Sequence, residues 1–261
     1  MQETEFLVLR LYGPLAAWGD VAVGEVRPIL THPTKSALLG LLGAALGVRR
    51  DEAELLSRMA DSYGFAVALE GRGTRIRDFH TVQSAPQNKE KEYGSGYMMN
   101  RQRELSIPVK DLETALTYRD YICDIIYTAV VWVKNSASVP FDLSQMRDAL
   151  CEPVFVPYLG RKSCVLSRPM QPQIVSAGDP MQAVCKASFY GDSAKYSSEG
   201  RLFVYPGTFK EEDRSGQFLF EGEWKLASFT EEVFRDEPKS RTIWQFGPRR
   251  VKRTAFCRGG V

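Results

Sequence analysis

The hydrophobic pattern of the chain begins with an apolar run at residues 6–12 that a Gly-Pro pair brings to an end. A short run bounded by turn residues is typical of a buried strand. The next apolar segment, residues 35–46, is hydrophobic on nearly every side, which predicts a buried helix. Thr34 stands in its N-cap position and Gly47 in its C-cap position. Gly40 and Gly43, inside the same segment, are interpreted as points of close backbone packing.

Other segments show shorter patterns. Asp51 opens an amphipathic helix that runs to about Ala60, and Asp142 caps a short helix whose apolar residues share one face. Residues 121–133 have the strongest strand pattern of the chain, rich in Ile, Val and aromatic residues, and are predicted to form one central strand. Further strands are expected at residues 65–69, 74–82, 154–156, 202–205 and 217–221, with a helix start at Asp179.

These elements indicate an α+β fold. Through residue 165 the predicted order is strand, helix, strand, strand, strand, helix, strand. If the strands that flank residues 83–117 form one continuous hairpin system, this order is close to the βαββαβ arrangement of ferredoxin-like domains, a group that includes RRM-like folds. We therefore expect a ferredoxin-like domain at residues 1–165. Residues 166–261 are expected to form a small β-rich C-terminal region with a basic tail.

Residues 83–117 interrupt this pattern. The segment has no long apolar run, and it combines alternating charges, a Tyr-Gly-Ser-Gly-Tyr stretch and two arginines. Some 35 residues without a long apolar run inside a compact domain are usually a functional projection or a disordered insert. Because strand patterns lie on both sides, the segment is predicted to be a long hairpin-like protrusion.

Composition excludes several classes of protein. With 261 residues, 44% hydrophobic and 25% charged, the chain has the composition of an ordinary folded protein. The chain has only two histidines, and its five cysteines form no C-x-x-C motif. Multi-histidine metal sites and zinc ribbons are therefore excluded, and we predict no metal and no cofactor. The longest apolar stretch, residues 37–48, is too short to span a bilayer. Because the sequence shows no secretory signal pattern, we expect reduced thiols and a cytoplasmic location.

The net charge of +2 hides an uneven distribution. Residues 239–261 carry seven basic and no acidic side chains, which leaves a net charge of −5 for residues 1–238. Trp244, Phe246 and Phe256 are interleaved with these cations, and basic plus aromatic residues are typical of nucleic-acid contacts. A solvated terminal strand or an acidic protein partner would account for the same pattern.

Two further positions suggest chemistry, and each has a plain alternative. Lys35 and Ser36 follow Thr34 at a helix start, but the glycines of a Walker A loop are absent, so an NTPase is excluded. Such a helix N-terminus can still hold a phosphate, although a plain cap is the more common role. His80 is conceivable as a lone general base, but a hydrogen-bonding histidine at a strand end is the more common case.

A third position is the turn at residues 158–164, with the sequence Tyr-Leu-Gly-Arg-Lys-Ser-Cys. Gly160 permits close backbone approach, and the guanidinium of Arg161 can form a forked contact with a phosphate. Because Lys162 and Ser163 follow directly, we favour contact with an anionic ligand over a plain surface loop.

Several motifs together resemble the CasD family of subunits of the type I-E CRISPR surveillance complex, Cascade. They are LRLYGPLAAWG at residues 9–19, PTKS at 33–36, RDFHTV at 77–82, YRDYICD at 118–124 and PYLGRKSC at 157–164. They occur in the order of the family and extend over about residues 6–165.

The resemblance implies a ferredoxin-like RAMP fold in which residues 83–117 form a protruding thumb. It implies a non-catalytic subunit that grips the 5′ handle of the CRISPR RNA, beside a backbone subunit and the large subunit, and meets target DNA only indirectly. Stacking and phosphate contacts of the kind that single-stranded RNA requires are then expected from the following residues. They are Trp18, Lys35, Ser36, Arg77, His80, Lys89, Tyr93, Tyr97, Arg101, Arg103, Arg161, Lys162, Ser163, Trp244, Arg249 and Arg250.

Two alternatives remain. The type I-C relatives of this family cleave the CRISPR repeat without a metal, which needs a base for the 2′-OH and a cation for the phosphate. His80 with Lys35 or Lys89 and Tyr121 would be the residues of such an endoribonuclease. The other alternative is a structural subunit that contacts only protein through its basic C-terminus.

Overall fold

The structure is a computed structural model, and it describes residues 3–70, 73–84, 107–135, 139–189, 216–224, 226, 229–240 and 245–256. The chain divides into two compact units. The first unit comprises Met1–Trp18, Leu30–Thr74 and Ile122–Val261, and the second comprises Gly19–Ile29 and Arg75–Tyr121. The predicted boundary at residue 165 does not coincide with this division.

The described residues form a mixed α/β structure with largely antiparallel sheets. The strands are β1 (Thr4–Tyr12), β2 (Leu15–Ala16), β3 (Trp18–Gly19), β4 (Val26–Arg27), β5 (Ile29–Leu30), β6 (Tyr63–Glu70), β7 (Thr74–Ser84), β8 (Glu113–Cys123), β9 (Ile126–Val133), β10 (Gln173–Ala177), β11 (Gly216–Phe220), β12 (Thr230–Ser240) and β13 (Gln245–Phe256). The helices are α1 (Lys35–Leu46), α2 (Ala53–Ser62), α3 (Leu143–Cys151) and α4 (Pro180–Lys186), with a 3-10 turn at Val109–Asp111.

A seven-stranded sheet organises the first unit, in the order β10-β1-β9-β6-β11-β13-β12. Every neighbouring pair in it is antiparallel. The three strands β1, β9 and β6 are buried over nearly their whole length, and Ala129 of β9 pairs with Leu9 on one side and Val67 on the other. This burial explains why their sequences are continuous apolar runs rather than alternating ones.

The two faces of this sheet are covered by different elements. On one face, Phe6, Val130 and Phe218 belong to a buried cluster that also contains Ala183 and Val184 of α4. On the other face, Leu38 of α1 lies beside Val67 of β6. Both layers bury apolar area, the dominant favourable contribution to folding.

The capping signals of α1 and α3 are confirmed, whereas α2 begins after Glu52, which forms no side-chain capping bond. The Thr34 side chain accepts a hydrogen bond from the backbone N–H of Ala37, and Gly47 ends α1 in the left-handed conformation at φ 75°. Asp142 and Gln145 form a reciprocal capping box at the start of α3. Each of these side chains satisfies a backbone donor that a helix end otherwise leaves without a partner.

Two predicted strands are wrong. Residues 121–133 are not one strand, because Asp124 adopts a positive φ of 53° that separates β8 from β9. Residues 154–156 form no strand. Instead, the N–H groups of Val154 and Phe155 donate to the carbonyls of Ala45 and Ala44, at 3.0 and 2.9 Å, at the C-terminal end of α1.

Strands of the C-terminal region belong to the same seven-stranded sheet. β10 pairs with β1, and β11 pairs with both β6 and β13, so these strands extend the sheet on either side of β1, β9 and β6. The sequence patterns missed β10, β12 and β13. The predicted strand at residues 202–205 lies outside the described residues.

Some simpler expectations concern cysteines and membranes. Cys123, Cys151, Cys164 and Cys185 are free thiols. Among the helices that the structure describes, none is both long and apolar enough to cross a bilayer.

Two glycines have opposite surroundings. Gly40 is exposed on α1 and a Cβ there would meet nothing within 4 Å, so its interpretation as a packing glycine is wrong. Gly64 of β6 lies opposite Trp132 of β9, and a Cβ at Gly64 would overlap the indole ring. The glycine thus creates the space that the tryptophan occupies.

We therefore expect Gly64→Ala to lower the free energy of unfolding by about 1–3 kcal/mol, because it overpacks the sheet against Trp132. The matched control Gly40→Ala should instead raise it by about 0.5–1 kcal/mol, because alanine has the higher helix propensity. Urea unfolding of the two variants and the wild type measures both effects. Equal effects of the two substitutions would contradict this account of Gly64.

Candidate nucleic-acid interface

The N-terminus of α1, one predicted phosphate site, is occupied by the chain itself. The backbone N–H of Lys35 donates to Oδ2 of Asp236 on β12 at 2.8 Å. The hydroxyl of Ser36 lies 3.0 Å from that of Thr34, the N-cap residue. A helix N-terminus favours an anion, and the Asp236 carboxylate supplies it. The anion position at this helix N-terminus is therefore filled from within the chain, and the structure gives no support to the predicted phosphate contact of Lys35 and Ser36.

The Lys35 side chain is fully buried and paired. Its Nζ donates to both carboxylate oxygens of Glu237, at 2.8 and 3.0 Å, and lies 4.0 Å from Glu221. Glu221 also accepts a hydrogen bond from the Phe65 N–H at 2.7 Å and lies 3.9 Å from the ammonium of Lys134. Burial lowers the pKa of Lys134 below its ordinary value.

Arg249 completes this group of charges. It donates two hydrogen bonds to the Asp236 carboxylate, at 2.8 and 2.6 Å, and its side chain is only 10% exposed. Burial alone would raise the pKa of Asp236, but the bonds and charge of Arg249 hold it below its ordinary value. We call Lys35, Lys134, Glu221, Asp236, Glu237 and Arg249 the ion cluster.

His32 lies beside the ion cluster. Its ring is 4% exposed and packs edge to face against Phe234, with the ring centroids 4.8 Å apart. Burial, together with the positive charges of Arg253 and Arg249, lowers the pKa of His32 to about 4. The imidazole is therefore neutral near pH 7.

The basic C-terminal strand is largely neutralised within the chain. Besides the Arg249–Asp236 pair, three cations of β13 face acids of β12 or of the segment after β11. These pairs are Arg250–Glu231 at 3.8 Å, Lys252–Glu223 at 2.8 Å and Arg253–Glu232 at 2.9 Å. Acids of the same chain, three of them on β12, therefore lie beside the cations of β13. The acid-rich stretch at residues 231–237 was the sequence signal for this pairing.

Adjacent arginines of β13 have different surroundings. Arg249 is buried in the ion cluster, so the structure gives no support to its prediction as an RNA contact. The side chain of Arg250 is 81% exposed and keeps a solvent-facing guanidinium. Trp244, the predicted aromatic partner of this region, lies outside the described residues.

Trp18 is a core residue. It is 1% exposed and packs edge to face against Tyr127, with the ring centroids 5.5 Å apart. A side chain enclosed in this way presents no face to a nucleobase, so the structure gives no support to its prediction as a stacking residue. Its aromatic character was informative about packing.

The loop Tyr158–Val165 is held by backbone contacts. Tyr158 and Val165 form an antiparallel bridge, and the Leu159 carbonyl accepts from the N–H of Ala17 at 2.9 Å. Gly160 has a φ of 87°, and a Cβ there would overlap the carbonyl of Ala17. The close approach that this glycine permits is to its own chain, not to a ligand.

The polar residues of that loop face outward. Lys162 and Ser163 are exposed, and Arg161 is half-buried. Because the backbone is fixed on both sides, these side chains are presented from a rigid base.

The second unit presents an exposed ribbon formed by β7 and β8. Nearly every residue of β7 is exposed, which is unusual for a strand and typical of a projecting one. Arg77 donates two hydrogen bonds to the buried carboxylate of Asp120, at 2.7 and 3.0 Å. The side chain of His80 is 43% exposed, with Nδ1 3.8 Å from the carboxylate of Asp78.

Part of the predicted thumb lies outside the described residues. Strand β7 continues to Ser84 and β8 begins at Glu113, so strands enter and leave the predicted segment on both sides. The following predicted contacts lie outside the described residues: Lys89, Tyr93, Tyr97, Arg101 and Arg103.

Comparisons with known proteins point in one direction. The family model described as CRISPR-associated protein (Cas_Cas5) matches residues 6–252. The chain is 36% identical over 187 residues to the CRISPR system Cascade subunit CasD of Escherichia coli (strain K12), with 69% of this chain and 75% of that protein covered.

Solved structures are similar over nearly the whole chain. A chain of a CRISPR RNA-guided surveillance complex matches with a TM-score of 0.61 and 25% identity, over 97% of this chain and 90% of that one. A crystal structure of a Cas protein matches with a TM-score of 0.53 over 97% of this chain and 95% of that one. At 20% identity, the second likeness concerns the fold alone.

His32 makes stability depend on pH. Its pKa is about 4 in the folded chain, against an ordinary 6.5, so the unfolded chain takes up a proton first as the pH falls. The stabilisation is complete above about pH 6.5 and is lost towards pH 4. We expect the wild type to lose about 2–3 kcal/mol of unfolding free energy from this group between pH 7 and 4.5.

The variant His32→Gln should lose less stability than the wild type over that interval, as measured by urea unfolding at both pH values. His80→Gln, which removes the other histidine at a half-exposed position, is the matched control and should retain the wild-type dependence. An unchanged pH dependence in His32→Gln would contradict the buried neutral imidazole.

Proposed function

This chain belongs to the CRISPR-associated Cas5 family and is of the CasD/Cas5 type, and on that premise we propose that it grips the 5′ handle of a CRISPR RNA without cutting it. In this proposal it is a subunit of a type I-E Cascade complex that serves antiviral defence. The match over residues 6–252 and the CasD relative support the assignment to such a complex.

The loop Tyr158–Val165 is the observation that carries the RNA-binding part of the proposal. Two adjacent cations, Arg161 and Lys162, extend from a backbone that is anchored to Ala17. A pre-ordered loop loses little conformational freedom when it binds a phosphate, so its contacts contribute more to affinity. Ser163 adds an exposed hydroxyl that can donate to a phosphate oxygen.

The exposed ribbon supplies the base of the proposed thumb. In the proposal, residues 83–117 form a hairpin that wedges against the RNA where the handle meets the guide. The exposure of β7 along its whole length supports a role outside the core. Arg77, His80 and the thumb residues named above would contact the RNA there, and Arg250 remains a candidate on β13.

The fold part of the proposal is a ferredoxin-like RAMP domain. The strand order β10-β1-β9-β6 supports it, since β9 lies between β1 and β6 and is antiparallel to both. Helix α1 follows β1 and α3 follows β9, as the βαββαβ arrangement requires. In this proposal β11, β12 and β13 extend the sheet of that domain.

Neighbouring subunits form the other part of the proposal. A backbone subunit and the large subunit would pack against this chain in the cytoplasm, and target DNA would be met only through them. Val154, Phe155 and Val156 are exposed by 66%, 47% and 79%, and such a contiguous apolar segment is typical of a surface that another protein covers.

The endoribonuclease alternative is not favoured. Lys35, one of its proposed cations, is buried and paired with Glu237. A catalytic base needs a positioned partner, and the carboxylate of Asp78 lies beyond hydrogen-bond distance of His80.

The double substitution of Arg161 and Lys162 by alanine tests the RNA-binding proposal. Binding to an RNA that carries the 5′ handle of the chain's own CRISPR repeat is measured across a salt series. Loss of two phosphate contacts should reduce the slope of log K against log salt by about 1–1.5. The exposed pair Arg49 and Arg50, substituted in the same way, should leave the slope unchanged.

Two other results would count against the proposal. An unchanged slope in the double variant would remove the loop from the RNA site. Site-specific cleavage of the RNA in EDTA that is lost in His80→Ala would favour the nuclease instead.

A further inference from the structure

An aromatic pair lies on the exposed ribbon of the second unit. The rings of Phe79 on β7 and Tyr118 on β8 have centroids 5.5 Å apart and planes inclined by 59°. Phe79 is 56% exposed in spite of this contact. A phenyl ring that packs on one neighbour and still leaves more than half of its surface in water has room for another flat group.

Arginines occupy the same face of β7. Side chains two apart on a strand share a face, so Arg75, Arg77 and Phe79 point to one side. Arg77 contacts Asp120, and Phe79 contacts Tyr118. The residue numbers rise by two on β7 and fall by two on β8, as they do when two antiparallel strands make both contacts on one face.

Asp120 fixes the Arg77 guanidinium. Its carboxylate is 1% exposed and accepts from Nε and an Nη of Arg77, while the arginine side chain remains 55% exposed. The guanidinium is thereby held in position by two bonds and is also open to solvent. Arg75 donates to the neutral carbonyl of Ile29 at 2.7 Å, a bond that leaves its positive charge uncompensated.

The backbone below Tyr118 is held by a second strand. β4 pairs with β8 in parallel, with Val26 beside Tyr118, and the Tyr118 N–H donates to the Glu25 carbonyl at 2.9 Å. The ring therefore rests on a strand that is bonded to another strand of the same unit.

From these features we propose that Phe79 and Tyr118 form a stacking platform for one unpaired base of the RNA, with Arg75 as a phosphate contact beside it. Unpaired bases are typically held between aromatic faces and guanidinium planes, with cations on the adjoining phosphates. The ring pair and the two arginines provide these elements on one face. The inference rests on the proposed function, since it specifies how the RNA is held.

The test uses the full-length protein and 5′-handle RNAs in which one base at a time is replaced by 2-aminopurine, whose fluorescence falls on stacking. In the wild type, one position should be quenched on binding. Phe79→Leu, which keeps an apolar side chain but removes the ring, should restore that fluorescence and weaken binding about tenfold. Phe79→Tyr should retain both properties.

Ile76→Leu is the matched control, because Ile76 is exposed on the opposite face of the same strand and should affect neither measurement. Quenching that persists in Phe79→Leu overturns the platform while leaving the proposed function intact. A Phe79→Leu variant that retains quenching but fails to assemble with the other protein subunits would identify a protein-docking surface instead. Absence of RNA binding by the wild type would overturn the platform and the proposed function together.

Discussion

The pairing of Asp236 with both Arg249 and the N-terminus of α1 is the interaction on which the arrangement of the first unit depends. One carboxylate accepts two bonds from Arg249 and one from the Lys35 backbone, and it thereby joins β12, β13 and α1. Charges buried this deeply are tolerated only when they are paired, and removal of one partner leaves the other without compensation. The ion cluster therefore fixes where the C-terminal hairpin lies on the helix and the sheet.

This arrangement changes the meaning of the basic C-terminus. In the sequence, its arginines and lysines have the composition of a nucleic-acid site, yet four cations of β13 face acids of the same chain. Much of the positive charge is thereby offset by short-range pairing. The cations that support the RNA proposal lie elsewhere, on the loop Tyr158–Val165 and on the exposed ribbon.

Local signals predicted the elements whose cause is local. The caps of α1 at Thr34 and Gly47 and the cap of α3 at Asp142 were readable, because each depends on residues within one turn. The break between β8 and β9 at Asp124 could not be predicted in this way, since a non-glycine residue with positive φ has no strong sequence signature. The pairing of β12 with β13 was also missed, because alternating acids and bases resemble solvated segments until the two strands are aligned.

The candidate site was predictable to a similar extent. The cationic loop was found because a glycine, two cations and a hydroxyl are adjacent in sequence. The burial of Trp18 and Lys35 was not predicted, because residue type does not reveal burial, and their partners Tyr127 and Glu237 are distant along the chain. The Phe79–Tyr118 pair was overlooked for the same reason, since the two rings meet only across strands.

The most direct test of the ion cluster compares two neighbouring arginines of β13. Arg249→Gln removes the buried partner of Asp236, whereas Arg250→Gln removes a side chain that is 81% exposed. Urea unfolding should show a loss of about 3–5 kcal/mol for Arg249→Gln and about 0.5 kcal/mol or less for Arg250→Gln. Equal, small losses for the two variants would contradict the claim that the ion cluster holds the C-terminal hairpin in place.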